Sequence, residues 1–390
     1  MHFVFISSLV PVADPASGYD IANRVIVDAV RLLGHRVSVL GFLQPGHQPA
    51  DPDQTVLLGS LEVTNARVGK LRKALWLKDA FVYGEPVSVA KMHATTAADI
   101  RAALAKLAPI DGLILNSVQL PGAFADIFSE WPSVFIAHNV EAHSAADNAR
   151  RAPGRLTRLL FGRDARLLSG LESRLCAMSR HVFTLAEADR AALGVASDGR
   201  STVLPLVTSV TPPDPPSVRV PVHDAGMIGS WTWAANRAGL AWFLDEIIPR
   251  LPSDFRIAIA GGIGRDAPKV PDNVALLGRV PDARAFVRSC RVIPLISRTG
   301  TGVQLKTIET FEMGLPSVAT ESAVRGISAL PDNCSTADDP DAFAQALVEM
   351  IGRSRAGEPL DRDGRAFHAR QLEGLVSALA RGLERCRQHG

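Results

Sequence analysis

Continuous apolar runs alternate along this chain with segments whose apolar positions recur every three or four residues. That is the pattern of buried parallel strands covered by helices. HFVFISSL (2–9) reads as a strand, a Pro/Gly/Asp-bearing loop follows from Pro11 to Gly18, and Ile21 to Leu33 is helical. Gly34 stops that helix and RVSVLGF is the next strand. Later buried strands are GLILNSV (112–118), SVFIAHN (133–139) and HVFTLA (181–186), with helical sequence between them.

Around residue 205 the texture changes. PLVTSVTPPDPPSVRVPV holds six prolines and reads as an extended, semi-rigid linker. The alternation then restarts with AGMIGS (strand), NRAGLAWFLDEIIPRL (helix), FRIAIAGG and VALLG (strands). DARAFVRSC (helix), RVIPLIS (strand), KTIETFEMG (helix) and PSVAT (strand) complete it. The pattern predicts an α/β chain of two doubly wound parallel-sheet domains, 1–205 and 226–360. A linker at 206–225 joins them, and an Arg-rich amphipathic helix at 361–390 packs on either one.

Composition narrows the classes. The 390 residues are 47% hydrophobic and 21% charged, the range of an ordinary globular chain. With 42 basic and 40 acidic residues there is no global field to attract nucleic acid, so any anion must be bound locally. Cys176, Cys290, Cys334 and Cys386 are scattered, without zinc spacing, which argues against a disulfide scaffold and for a reducing compartment. The first apolar run is under ten residues and lacks a basic start, so it reads as a strand and not as a signal peptide or membrane span. A cytoplasmic location is the expectation.

The most informative stretch is RVIPLISRTGTGVQLKTIETFEMGLPSVAT (291–320). A buried strand ends at Ser297, a loop carries Thr299, Gly300, Thr301 and Gly302, and a helix opens. A helix start leaves backbone N–H groups free at the positive end of the dipole, which makes a phosphate site. Lys306 in the first turn can add an ammonium to that anion, and Glu309, three residues on, lies on roughly the same face, where a carboxylate suits the two hydroxyls of a ribose. A plain α/β turn, with Lys306 solvated and Glu309 paired to it, is the bland alternative. A dinucleotide fingerprint is another, since Glu321 falls near the expected spacing of about 20 residues. Leu305, however, takes the third glycine's place, and the motif lies in the second half of the chain.

GVQLKTIETFEMGLPSVATESAVRGI resembles the donor-site segment of the group 1 glycosyltransferases, retaining enzymes of the GT-B fold. GMIGSWTWAANRAGLAWFLDEIIPRL is similar to the first strand and helix of their nucleotide-binding domain. FIAHNVEAH and GHRVSVL resemble parts of their acceptor domain. The resemblance spans about residues 1–350. It implies a donor site in the C-terminal domain, formed by Gly229, Ser230, Arg298, Gly300, Thr301, Gly302, Val303, Lys306 and Glu309. Glu309 matches the ribose-binding glutamate, and Gly302 and Val303 the amides on the diphosphate. His138 falls where the family carries a histidine facing the donor sugar, and Gly18 in the glycine loop near the acceptor, with Asn139 and Glu141 as further acceptor-side candidates. His138 and Lys306 are the candidate catalytic residues.

Two family features are missing. The family often carries two glutamates with seven residues between them, and counting back from Glu309 that place is Thr301. The Arg/Lys pair after the first C-domain strand is absent, with Ser230, Trp231 and Asn236 in that region. Phosphate charge then rests more on Lys306, helped by Arg298. These gaps keep open a non-catalytic sugar-nucleotide-binding or assembly protein, beside a sugar-nucleotide epimerase of the same form.

The Asp-x-Asp triplets (Asp51/Asp53, Asp339/Asp341, Asp361/Asp363) could hold a cation on a diphosphate, but none closes a buried strand and loop polarity explains them. No metal and no cofactor is expected, the donor being a nucleotide-diphosphate sugar and the acceptor a glycan, lipid-linked in one reading. KLRKALWLKDAF (70–81) and ARRAPGRLTRLLFGRDARLL (149–168) are basic and amphipathic. A solvated face explains them simply, and peripheral contact with the inner face of a membrane through the Arg150–Arg166 region is the functional alternative.

Overall fold

The computed structural model describes residues 1–15, 17–63, 68–152, 154–264, 267–299 and 302–387. The chain divides into two compact units, Met1–Val210 with Leu372–Gly390, and Thr211–Gln371.

The first unit holds strands β1 (His2–Leu9), β2 (Arg36–Leu43), β3 (Thr55–Ser60), β4 (Gly112–Asn116), β5 (Ser133–Ala137), β6 (His181–Thr184) and β7 (Ser201–Val203). They pair in parallel in the order β3-β2-β1-β4-β5-β6-β7. Its helices are α1 (Gly18–Leu32), α2 (Lys70–Val82), α3 (Val87–Ala90), α4 (Ala97–Leu107), α5 (Gln119–Ala123), α6 (Ala125–Phe128), α7 (Glu141–Arg151), α8 (Arg155–Met178) and α9 (Glu187–Ala192). The central strands are buried on both faces, as their unbroken apolar runs require.

Helix α1 starts three residues before the apolar periodicity does. Ser17 accepts from the Asp20 amide while Asp20 accepts from the Ser17 amide, a reciprocal cap that satisfies two orphan N–H groups. Edge strands β3 and β7 lie outside the sequence reading. β3 is half exposed and β7 is three residues long, so neither has an apolar run to announce it.

The second unit holds β8 (His223–Ile228), β9 (Ile257–Ala260), β10 (Val274–Gly278), β11 (Cys290–Leu295), β12 (Ser317–Ala319) and β13 (Cys334–Thr336). Their order is β10-β9-β8-β11-β12-β13, again parallel. Around them lie α10 (Ala234–Trp242), α11 (Ala283–Arg288), α12 (Leu305–Glu312), α13 (Pro340–Arg355) and the start of α14 (Gly364–Arg387). α10 ends sooner than the apolar pattern suggests, because a π turn (Phe243–Ile247) and a short 3-10 turn (Ile248–Arg250) continue it.

Residues 204–222 form no helix or strand. The stretch is nevertheless fastened at its end. Arg219 pairs with Asp361 at 2.6 Å and donates to the carbonyls of Cys290 and Arg291, so this part of the Pro-rich segment belongs to the second unit. The terminal helix is split between the units. Leu375, Leu379 and Leu383 are buried, and Gly382 lets the backbone pass the Phe183 ring, where a Cβ would stand 2.1 Å away. All four cysteines are free. No helix among the described residues is long and apolar enough to cross a membrane.

Candidate functional site

Chemistry-bearing side chains gather at two places, one in each unit. In the second unit they surround the ends of β8, β9 and β11 and the start of α12. Gly261, past β9, has φ +111°, and a Cβ there would meet the Gly229 carbonyl oxygen at 1.9 Å. Only glycine permits this approach. The Trp231 ring then passes over Gly229, and its Nε1 donates to the Ala260 carbonyl at 2.8 Å, which buries the indole almost completely. Trp231 and Gly261 were not among the expected site residues, although FRIAIAGG ends on two glycines.

Lys306 lies in the first turn of α12 with its ammonium 6.0 Å from the centre of the Trp231 ring. It lines a small cavity with Ile228, Leu295, Glu309 and Thr310. Among the described residues no carboxylate pairs with it. Desolvation lowers its pKa to about 8. Gly302 and Val303 precede the helix half-buried, and a Cβ at Gly302 would meet open space. Gly300 and Thr301 lie outside the described residues.

Glu309 pairs with Arg284 of α11 at 3.0 Å and not with Lys306. The bland alternative, an internal Lys306–Glu309 pair, is therefore absent from the structure. Arg298 stacks over Trp242 at 4.7 Å and donates to the Asp338 carbonyl at 3.2 Å, so its guanidinium is held toward that loop. The Ser230 hydroxyl meets that of Thr232 at 3.2 Å, and Asn236 donates to the Ser230 carbonyl.

The first unit builds a polar cluster at the ends of β1, β4 and β5. His138 stands one residue beyond β5, with Nε2 2.8 Å from Asn116 Oδ1 and its ring centre 5.2 Å from that of Tyr19. Asn116 in turn donates to Asn23 at 2.9 Å, Ser7 at 3.1 Å and Tyr19 at 3.3 Å. Sequence reading missed Ser7, Tyr19, Asn23 and Asn116. A strand that ends in Asn inside an apolar run, as GLILN does, was the available signal. Ser117, next in the chain, has φ +63°, a left-handed conformation rare for a residue with a Cβ, directly behind this cluster.

Gly18 opens α1, and Asn139, two residues before α7, donates to Ser144 of that helix at 3.4 Å. Glu141 accepts from Gln119 at 3.2 Å, and burial raises its pKa. Its amide donates to Glu172 of α8, a buried carboxylate that accepts from the Ala142 amide as well and so caps α7 from outside the helix. Desolvation lifts Glu172 to about 7.

Five of the six Asp-x-Asp residues have structural partners. Asp51 pairs with Arg31, Asp339 caps α13, and Asp341, Asp361 and Asp363 pair with Arg250, Arg219 and Arg365. Among the described residues no group of three or more His, Cys, Asp or Glu could hold a metal ion.

Residues 223–353 match the model of the family described as glycosyl transferases group 1. No curated protein matches the chain. Among solved structures, the chain is similar to sucrose-phosphate synthase from Thermosynechococcus elongatus, at 14% identity and TM-score 0.69, each chain covered in full. It is similar also to Anabaena HepE in complex with UDP, at 13% identity and TM-score 0.60, with 98% of this chain and 100% of that one covered. A third is the lipopolysaccharide outer core galactosyltransferase WaaB, at 12% identity and TM-score 0.54, 99% of both chains covered. The fold is GT-B. Within that GT-B fold the Lys306 cluster belongs to the family-matched unit and the His138 cluster to the other.

Burial pushes His138 down to about 4, so the folded chain holds it neutral. As pH falls below the ordinary 6.5, the unfolded state takes up a proton that the folded state refuses, and stability is lost until about pH 4. Urea unfolding of the wild type should therefore lose about 1–2 kcal/mol more between pH 7 and 5 than that of His138→Gln. Equal losses in the two would show that His138 is not kept neutral by its surroundings.

Proposed function

We propose that the protein is a retaining, metal-independent glycosyltransferase that moves a sugar from a nucleotide-diphosphate sugar to a glycan acceptor. The observation that carries this reading is Lys306. A desolvated ammonium with no carboxylate paired to it among the described residues is costly, and a bound anion would supply the missing charge. Gly302, Val303 and Gln304, before the first turn of α12, add free backbone N–H groups and the positive end of the helix dipole. HepE forms complexes with UDP and with UDP-glucose, which supports a UDP-sugar as donor.

In this reading Glu309 takes the ribose hydroxyls once Arg284 gives way, and Gly229 leaves room for the diphosphate beside Ser230. Breaking the anomeric bond puts negative charge on the departing diphosphate, where Lys306 and the α12 amides stabilise it as it develops. Charge is then neutralised without a cation, and turnover should proceed in excess EDTA. The family resemblance assigns His138 to the transferred sugar and Gly18, Asn139 and Glu141 to the acceptor. Retention follows from attack on the face the diphosphate leaves, with the leaving phosphate assisting deprotonation of the acceptor.

A lipid-linked acceptor is favoured by one surface. Leu71 and Phe81 of α2 and Leu156 and Leu159 of α8 are exposed, and Lys70, Arg72, Lys73, Lys78, Arg155 and Arg158 are exposed among them. Arg163 holds the two helices together, stacked on Phe81 at 4.6 Å and donating to the Ala80 carbonyl, so it is structural and not part of the exposed set. Apolar side chains rimmed by cations suit an anionic membrane surface.

Glu309→Gln should weaken UDP-sugar binding by roughly 1.5–3 kcal/mol, whereas Arg284→Ala should leave it unchanged or tighter. Equal weakening by both would make the ion pair, and not the free carboxylate, the recognition element. Lys306 contributes its charge only when protonated. UDP affinity should then fall as pH rises through about 8, by up to roughly tenfold per unit, and be weak and pH-independent in Lys306→Met. Lys306→Ala should lower turnover by about 10²–10³-fold and donor affinity by less; unaltered turnover at saturation would leave Lys306 an anchor only. Sedimentation with vesicles should show binding to anionic phospholipid, screened by salt, and its loss in Leu156→Ser/Leu159→Ser. Equal binding to neutral vesicles would remove the electrostatic half of that reading.

A further inference from the structure

We propose that Asn116 is a positioning residue that holds His138 as the tautomer protonated on Nε2, leaving Nδ1 as a lone-pair acceptor for a sugar hydroxyl. The chain of assignments starts from an atom that cannot donate. The Leu9 carbonyl accepts from Ser7 Oγ at 2.8 Å and faces the amide nitrogen of Asn23 at 3.5 Å. That second contact is too long to be a strong bond, but it fixes which way the amide points. Turned over, Asn23 would set one carbonyl oxygen against another with no proton between them.

With its nitrogen toward Leu9, Asn23 presents Oδ1 to Asn116 Nδ2 at 2.9 Å. Asn116 Nδ2 shares its other hydrogen between Ser7 Oγ at 3.1 Å and Tyr19 Oη at 3.3 Å. Asn116 Oδ1 must then be the atom that faces His138 Nε2 at 2.8 Å, and an oxygen there can only accept. Nε2 therefore carries the proton.

Ser7, Asn23 and Asn116 are completely buried, so no bulk water competes for these bonds. Among the described residues none partners His138 Nδ1, and the residue as a whole is only partly buried. Desolvation keeps the ring neutral down to about pH 4, so near neutrality it has one N–H and one lone pair. An amide suits this task because it cannot titrate, whereas a carboxylate in its place would draw a second proton onto the ring.

The part played toward a sugar rests on the transferase reading, but the tautomer does not, and the two are tested separately. Long-range ¹H–¹⁵N spectra of the ¹⁵N-labelled full chain at pH 7, with His138 assigned by its absence from His138→Gln, read the tautomer directly. A protonated Nε2 with an unprotonated Nδ1 is expected. A protonated Nδ1, or signals averaged between tautomers, would overturn the proposal. In Asn116→Leu the His138 signals should average, and release of UDP from the UDP-sugar that the wild type turns over should fall roughly 10–100-fold at saturation, with a smaller change in donor KM. An unchanged tautomer in the folded variant would also overturn it. If Asn116→Leu does not fold, the wild-type spectrum decides alone. A held tautomer in a protein that turns over no sugar nucleotide would leave the positioning intact and sink the transferase reading.

Discussion

Parallel register places these groups together. In the first sheet Ser7 of β1 lies beside Asn116 of β4, and Asn116 beside Ile136 of β5, two residues before His138. In the second, Ile228 lies beside Ala260, and Leu295 beside Ala319. Parallel strands all finish at one edge, so side chains more than a hundred residues apart in sequence become neighbours without any long excursion of the chain. Shifting β4 by one residue would turn Asn116 to the opposite face and break the row.

The two clusters handle polarity in opposite ways. Around Asn116, donors and acceptors saturate one another in a dry interior, and what they leave over is the directed lone pair of His138. Around Lys306 a charge is brought into a half-buried place with no carboxylate paired to it among the described residues, while the neighbouring carboxylate of Glu309 is occupied by Arg284. A saturated network gives orientation, and an unsatisfied charge gives affinity. The GT-B architecture thus offers a rigid surface in one unit and an electrostatically hungry one in the other.

The strands of both sheets that are buried on two faces were legible in the sequence, because burial leaves no polar position to interrupt the run. The short edge strands β3, β7 and β13 were not, since three to six partly exposed residues carry no period. The strand, loop and helix that carry Gly302, Lys306 and Glu309 were legible as such. The partnership of Glu309 with Arg284 was not, because it joins residues 25 positions apart on different helices. Nor was the role of Asn116. A polar residue closing an apolar strand announces that something must satisfy it, but only register says what.

The terminal helix has a consequence for the order of events in synthesis. The first unit takes its last piece from residues 372–387, where Gly382 covers Phe183 and Arg180 donates to the carbonyls of Arg385 and Cys386. A ribosome delivers those residues after the whole second unit. All seven strands are made by Val203, but the cover over Phe183 and His181 arrives only after the remaining half has been translated, while the second unit has all of its own sequence as soon as Gln371 emerges.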